Sequence, residues 1–217
     1  AKRAPVQMLE SGPAAGALAA AHFGAEDSDG RLLAFDMGGT TAKLSLIDNA
    51  QPLIAYDFEA VRQKRFVEHS GLPIRISTIE LIEIGAGGGS IAHIDRLGLL
   101  KVGPHSAGSE PGPAAYGRGG PAATVTDANF ALGYLNPHYF AGGTITIDRD
   151  AFCNALAALV EPTGLNSDAL AWGIHDVVNE NMASAARVHI AERGRDPSNY
   201  TLLCTGGGGP VHAYYLA

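Results

Sequence analysis

The residues best suited to chemistry lie at positions 36 to 41 of this 217-residue chain. Asp36 ends an apolar run, and after Met37 come two glycines and two threonines, Gly38, Gly39, Thr40 and Thr41. Glycines let backbone N–H groups converge on an anion, and threonine hydroxyls add further donors. This pattern predicts a phosphate-binding turn. The alternative interpretation is an ordinary glycine hairpin turn.

The flanking sequence indicates which kind of phosphate site this would be. Residues 31–37 form an apolar run, and residues 42–48 alternate with a period of two, so the glycines join two strands. In P-loop and Rossmann sites the glycines instead open a helix. A hairpin phosphate loop led by an acid resembles that of the actin, hexokinase and Hsp70 nucleotide fold. That resemblance implies that Asp36 holds a hydrated metal ion beside the phosphates.

Two further glycine clusters are candidates for the same site. Residues 206–209 are four glycines between a short apolar strand and the last helix, so that a helix N-terminus and bare backbone face any ligand there. In the actin-like fold such a turn packs against the adenosine. The cluster at residues 85–90 contains Gly87 and Gly88. It is either a further anion cradle or a tight bend between sheets.

The elements that must position these loops follow an α/β pattern with a mixed sheet. Strand-like alternation recurs at residues 74–84, and residues 103–121 form a long Gly/Pro/Ser segment with almost no signal for regular structure. Helical patterns cover an alanine-rich segment and three later ones, at residues 11–23, 148–160, 167–193 and 210–217. Another helix begins at Thr126 and Asp127, where Asp127 is explained equally well by helix capping and by substrate contact.

Composition excludes several classes of function. The net charge is −7, and the only basic patch, residues 62–65, is short and typical of a solvated face, so no nucleic-acid partner is expected. No apolar run has transmembrane length and no signal peptide is present, so no membrane partner is expected. Cys153 and Cys204 lie in apolar segments, which predicts buried, reduced thiols and a cytoplasmic location.

Six motifs in one order resemble the hydantoinase A/5-oxoprolinase family over nearly the whole chain. They are SGPAAG (11–16), DMGGTTAK (36–43), GAGGGSIA (85–92), GPHSAGSEPGPAAYGRGG (103–120), TVTDAN (124–129) and GGGGPVHA (206–213). The resemblance implies an actin-like, ribonuclease H-like ATPase core coupled to ATP-dependent opening of a cyclic amide. A related branch of the family carboxylates ketones with ATP, and a non-catalytic actin-like nucleotide-binding domain is a third alternative.

The resemblance also implies cofactors and roles for individual residues. ATP and Mg²⁺ are the expected cofactors, with Asp36 as catalytic residue and metal ligand. Lys43 is the second catalytic candidate, although it is equally compatible with an outward-facing position on the strand. The phosphates and the adenosine half would contact glycines and threonines of all three clusters: Gly38, Gly39, Thr40, Thr41, Gly87, Gly88, Gly206, Gly207, Gly208 and Gly209.

Family members carry an earlier DxGGT-type loop in an N-terminal domain and work with a hydantoinase B-type subunit. Neither occurs in this sequence. We therefore expect a piece of a longer polypeptide that joins an oligomer, binds a small cyclic amide and is inactive by itself. Within it we expect a connecting helix and phosphate hairpin (1–60), inserted strands and Gly/Pro-rich loops (61–125), and helices with the adenosine-side glycine loop (126–217).

Overall fold

The computed structural model describes residues 5–24, 26, 29–56, 58–60 and 71–217. The basic patch at residues 62–65 lies outside this range. The chain forms two compact units that alternate along the sequence. The first unit comprises residues 1–36, 43–82 and 190–203, and the second comprises residues 37–42, 83–189 and 204–217. The three-part division predicted above stays a prediction.

The described residues form five α-helices and eleven short strands. The helices are α1 (Ser11–Gly24), α2 (Val125–Ala131), α3 (Arg149–Thr163), α4 (Ser167–Glu192) and α5 (Gly209–Leu216). The strands are β1 (Leu32–Met37), β2 (Ala42–Asp48), β3 (Gln51–Pro52), β4 (Ile54–Ala55), β5 (Phe58–Ala60), β6 (Leu72–Ile74), β7 (Thr78–Ile79), β8 (Ile82–Ile84), β9 (Ser90–Ile94), β10 (Leu100–Ser106) and β11 (Thr201–Thr205).

The largest sheet has the strand order β11-β1-β2-β3, and β8 also pairs with β2. Most residues of β1 and β2 are buried, as expected for central strands covered on both faces. The predicted strand–turn–strand around the first glycine pair is confirmed. The turn closes where the Gly38 amide donates to the Thr41 carbonyl at 3.1 Å.

The core of the first unit forms where α1 packs on the sheet. Ala17, Ala20 and Ala21 of α1 are buried in one cluster with Leu32 and Ile47. Alanines keep the helix surface flat, so its backbone approaches the strands closely. The predicted helix at residues 11–23 is confirmed, with α1 extending one residue further.

The second unit is built around α4, the longest helix. Leu170, Ile174, Val178 and Met182 are fully buried along one stripe of it, which agrees with the predicted helix and its apolar face. Helices α2 and α3 contribute a cluster in which the Phe130 and Phe152 rings stack with centroids 5.9 Å apart, and Phe140 meets Phe130 edge-on, as aromatic pairs prefer.

Two predictions, one of an irregular segment and one of strand-like alternation, were wrong in detail. The first four residues of the segment 103–121 belong to β10, which pairs antiparallel with β9. A shift in register between Val102 and Ser106 accommodates Gly103 and Pro104, residue types that normally indicate the end of a strand. The alternation at residues 74–84 is divided among three separate strands rather than one.

One cysteine prediction was also wrong. Cys153 is exposed on α3, whereas Cys204 is partly buried in β11, where desolvation raises the pKa of its thiol to about 11. Among the helices in the described parts of the chain, none is both long and apolar enough to cross a membrane.

Candidate functional site

The first glycine turn is exposed at the end of a buried strand. Asp36 is the penultimate residue of β1 and is half-buried, between the fully buried Phe35 and Met37. Because side chains alternate along a strand, Asp36 points to the face opposite these two neighbours. The turn residues Gly38, Gly39 and Thr40 are exposed, and Thr41 is half-buried. This part of the predicted site is therefore accessible to a ligand.

The second glycine cluster lies directly against this turn. The Gly88 amide donates to the Gly38 carbonyl at 3.1 Å, and the Gly89 amide donates to the Gly39 carbonyl at 2.6 Å. A Cβ atom at Gly87 would lie 2.5 Å from the Thr40 carbonyl carbon, which is closer than real side chains approach backbone. The cluster is thus a support that fixes the backbone of the turn.

This support function uses the amides that were predicted to bind phosphate. The Gly87 amide donates to Ser90 Oγ at 2.9 Å, and the Gly88 amide donates to the Gly38 carbonyl. A phosphate would have to compete with these bonds inside the protein. The assignment of Gly87 and Gly88 to nucleotide binding stays a prediction, and the contacts favour an indirect contribution through the turn.

The third glycine cluster meets the base of the same turn. The Gly208 amide donates to the Met37 carbonyl at 2.9 Å, and a Cβ at Gly208 would lie 3.1 Å from Met37 Cγ. Gly206 has a φ of 78°, the left-handed conformation that glycine adopts readily, so the chain turns sharply from β11 into α5. Gly206 and Gly207 are exposed. All three predicted clusters therefore come together in the second unit.

Helix α2 anchors the second cluster and the Gly/Pro segment. The Thr126 amide and hydroxyl both donate to the Gly88 carbonyl at 2.8 Å. The fully buried Asp127 carboxylate accepts bonds from the amides of Ala114, Ala115 and Thr124 and from the Thr124 hydroxyl. These bonds complete a capping box, so Asp127 has the capping role. Burial outweighs the bonds and raises the pKa of its carboxyl.

Lys43 lies in the first unit with its ammonium group already paired. Its Nζ donates to the Glu10 carboxylate, and the Lys43 side chain is only 16% exposed. Because the two residues are 33 positions apart, the local sequence pattern could not predict this pairing. The charge that was predicted to act in catalysis is thus compensated by a carboxylate, and the catalytic role of Lys43 stays a prediction.

Sequence reasoning missed a buried polar cluster in the second unit, formed by Asn129, His175, Asn179 and His212, all at most 4% exposed. His212 Nδ1 lies 2.6 Å from Asn179 Oδ1, and His212 Nε2 lies 3.2 Å from Asn129 Nδ2. His175 Nδ1 lies 2.8 Å from Asn129 Oδ1. The available signal was His175 and Asn179, which are spaced i, i+4 on the apolar stripe of α4.

Burial disfavours the charged form of three histidines in the second unit, His175, His189 and His212. Desolvation, with a smaller contribution from the His175 charge, lowers the pKa of His212 to about 3. Desolvation also lowers the pKa of His189 to about 4 and shifts the pKa of His175 downward, although the nearby Asp176 opposes the shift at His175. The imidazolium form of each is therefore disfavoured in the folded protein.

The contact between Gly87 and Thr40 predicts that adding one methyl group at position 87 destabilises the protein. Gly87→Ala should lower the free energy of unfolding by roughly 1 to 3 kcal/mol, because the backbone of the turn must move away. Gly39→Ala is the control, since a Cβ there meets nothing within 4 Å, and it should change stability by less than about 0.5 kcal/mol. Urea unfolding measures both. Equal stability of the two variants would show that the loops are not in contact.

The neutral histidines predict that stability falls as the pH is lowered from about 7 to about 5. In the unfolded chain a histidine takes up a proton near pH 6.5, whereas folded His212 and His189 stay neutral until about pH 3 to 4. The unfolded state then binds more protons and is favoured. Denaturant unfolding at the two pH values measures the loss. His93→Gln, at an exposed position, should leave the loss unchanged, and equal stability at both pH values would contradict the assignment.

Comparison with known proteins identifies the family that this chain resembles. The family model described as hydantoinase/oxoprolinase matches residues 1–217. The chain is 39% identical over 217 residues to the caprolactamase subunit alpha of Pseudomonas jessenii, covering 98% of this chain and 29% of that protein. It is 37% identical over 208 residues to the acetophenone carboxylase gamma subunit of Aromatoleum aromaticum, covering 95% of this chain and 27% of that protein.

The fold agrees with these matches. The nucleotide-free structure of acetone carboxylase superimposes with a TM-score of 0.77 and 28% identity, covering 93% of this chain and 27% of that chain. The predicted α/β class with a mixed sheet of the actin-like ATPase type is confirmed. The chain spans less than a third of the length of the curated relatives it matches. With the family model matching from end to end, the chain belongs to the hydantoinase/oxoprolinase family.

Proposed function

We propose that this chain supplies the ATP-binding part of an enzyme that opens a cyclic amide of the hydantoin or 5-oxoproline type. The observation that carries the proposal is the convergence of two glycine loops, in which Gly38, Gly39, Gly206 and Gly207 are exposed. The turn at residues 38–41 and the loop at residues 206–209 meet at Met37, where the Gly208 amide donates to the Met37 carbonyl at 2.9 Å. Exposed backbone amides near a strand end and a helix N-terminus suit the phosphates of a nucleotide.

In this proposal each loop contacts a different part of ATP. Gly38, Gly39, Thr40 and Thr41 hold the phosphates, since the turn is exposed and its backbone is fixed by the bonds from Gly88 and Gly89. The loop at residues 206–209 lies against the adenosine half. Preorganised donors of this kind stabilise phosphate charge without reorganising during the reaction.

Asp36 is the proposed ligand of Mg²⁺, bound through water. The described residues contain no group of three or more His, Cys, Asp or Glu side chains placed to hold a metal ion. A single half-buried carboxylate therefore fits Mg²⁺ only if water and phosphate oxygens complete the coordination, which is the usual arrangement for this ion. The proposed role of Lys43 is to neutralise phosphate charge in competition with its carboxylate partner Glu10.

The chemistry would consist of activating an unreactive amide. An amide carbonyl is a poor electrophile. Transfer of the ATP γ-phosphoryl group to its oxygen, with release of ADP, would allow water to add to the carbonyl carbon. The ring C–N bond would then break with the nitrogen leaving as the amine, and hydrolysis of the resulting acyl phosphate would release phosphate. The residues of this chain would contribute position and charge stabilisation rather than a covalent intermediate. We further propose that the rest of the nucleotide cleft comes from the protein's N-terminal domain, and that a hydantoinase B-type subunit completes the enzyme. Matched relatives are themselves subunits of larger enzymes.

ATP-dependent carboxylation of a ketone is the second candidate function. The similarity to the acetophenone carboxylase gamma subunit, at 37% identity, is nearly as high as that to the caprolactamase subunit, at 39%. The same nucleotide loops would serve both reactions, because each uses ATP to activate an oxygen atom. The two candidates differ in the second substrate, which would be water for the hydrolase and bicarbonate for the carboxylase.

The metal role of Asp36 predicts the effect of one substitution in the full-length protein with its partner subunits. Asp36→Ala should abolish ATP turnover, because the phosphates would lose the carboxylate that organises Mg²⁺. Asp29→Ala removes an exposed aspartate and should leave turnover unchanged. Steady-state ATP hydrolysis measures both variants. Near-normal turnover in Asp36→Ala would reject this role.

The same assay separates the two candidate reactions. ATP hydrolysis stimulated by a lactam, hydantoin or 5-oxoproline without bicarbonate would support the hydrolase. Stimulation by a ketone only when bicarbonate is present would support the carboxylase instead.

A further inference from the structure

A closed ring of hydrogen bonds and short chain segments joins all three glycine clusters within the second unit. One side of the ring runs from the phosphate turn to helix α2. The Gly38 carbonyl accepts from the Gly88 amide at 3.1 Å, and the Gly88 carbonyl accepts from both the amide and the hydroxyl of Thr126 at 2.8 Å. The first turn of α2 is thereby tied to the backbone of the phosphate turn.

The ring continues from α2 to α5 through a pair of buried side chains. Asn129 lies one turn after Thr126 on α2, and its Nδ2 is 3.2 Å from His212 Nε2. His212 lies in the first turn of α5, three residues after Gly209. Both side chains are at most 4% exposed, so water does not compete for the bond.

The ring closes at the adenosine-side loop. Gly208 precedes α5, and its amide donates to the Met37 carbonyl, which directly precedes Gly38. The phosphate turn, the supporting loop, α2, α5 and the adenosine-side loop thus form one circuit. Along this circuit, Asn129 and His212 provide the only side chain-to-side chain bond. Substitution of either residue removes it.

The protonation states make this bond directional. Asn179 Oδ1 can only accept, so His212 Nδ1 must donate to it, at 2.6 Å. A neutral imidazole then carries a lone pair on Nε2, which accepts from Asn129 Nδ2. Asn129 Oδ1 in turn accepts from His175 Nδ1 at 2.8 Å. Every described bond of the cluster is consistent with one orientation of each side chain.

From this circuit we infer that Asn129 is a positioning residue for nucleotide binding, acting through His212. It sets the distance between the phosphate turn at residues 38–41 and the adenosine-side loop at residues 206–209, without touching the nucleotide. The inference rests on the proposed ATP site. A ligand that contacts both loops at once binds best at one separation of the loops, so a displacement of either loop weakens binding.

The cluster contains a matched pair of asparagines that tests this role. Asn129 and Asn179 each bond one nitrogen of His212, but only the Asn129 bond belongs to the ring. Asn129→Leu and Asn179→Leu should both destabilise the protein, because each leaves a buried histidine nitrogen without a partner. Only Asn129→Leu should raise the Kd for MgATP, by about tenfold or more, whereas Asn179→Leu should change it less than about threefold.

A third variant accounts for the second bond that Asn129 makes. His175→Phe removes the His175–Asn129 bond outside the ring and should leave the Kd for MgATP close to that of the wild type. If Asn129→Leu does not yield folded protein, the pair His212→Asn and His212→Gln tests the same inference. Asparagine at this position retains a polar group near the place of the His212 Nδ1 atom, and glutamine retains one near the place of the His212 Nε2 atom. His212→Asn should therefore weaken MgATP binding, and His212→Gln should restore most of it.

The measurement is calorimetric titration of the full-length protein with MgATP, alongside urea unfolding of each variant. Weakened binding in Asn129→Leu, with near-normal binding in Asn179→Leu and His175→Phe, supports the inference. Equal binding by Asn129→Leu and Asn179→Leu, while the wild type binds, overturns it and leaves the proposed function intact. Absence of MgATP binding by the wild type rejects the proposed function, and the inference with it.

Discussion

Two backbone hydrogen bonds hold the turn at residues 38–41 against the second glycine cluster, from the Gly88 amide to the Gly38 carbonyl and from the Gly89 amide to the Gly39 carbonyl. They form only because Gly87, Gly88 and Gly89 have no side chains. A Cβ at each position would lie under 3.0 Å from another atom. Without this contact an exposed four-residue turn would be free to move, and its amides would not be preorganised for an anion. The positions of α2 and the Gly/Pro segment depend on the same contact.

The buried polar cluster extends this constraint to the helices. The hydrogen bonds among Asn129, Asn179 and the two histidines offset part of the cost of burying them, while His175 Nε2 and Asn179 Nδ2 are buried without a partner among the described residues. An apolar set of side chains would pack the same space but would not fix the orientation of α5 so specifically. The neutral state of His212, imposed by burial, is the condition for the bond to Asn129. Packing, protonation and loop placement are thus coupled in the second unit.

The sequence predicted the features that depend on local patterns. The strand–turn–strand around Gly38 and the long helix α4 follow from apolar periodicity and glycine spacing, and both are confirmed. Features that depend on distant partners were missed. Lys43 pairs with a residue 33 positions away, and His212 with one 83 positions away. The strand β10 was missed because Gly103 and Pro104 are unfavourable in strands, and only its pairing with β9 explains their presence.

In the proposed function, the loops at residues 38–41 and 206–209 together bind one nucleotide. Hydrogen–deuterium exchange of the full-length protein, with and without MgATP, tests it most directly because exchange reports each loop separately. MgATP should slow exchange in both loops, and exchange of the exposed residues 96–99, between β9 and β10, should remain unchanged. If MgATP binds but neither loop gains protection, the nucleotide lies elsewhere and these loops do not form its site.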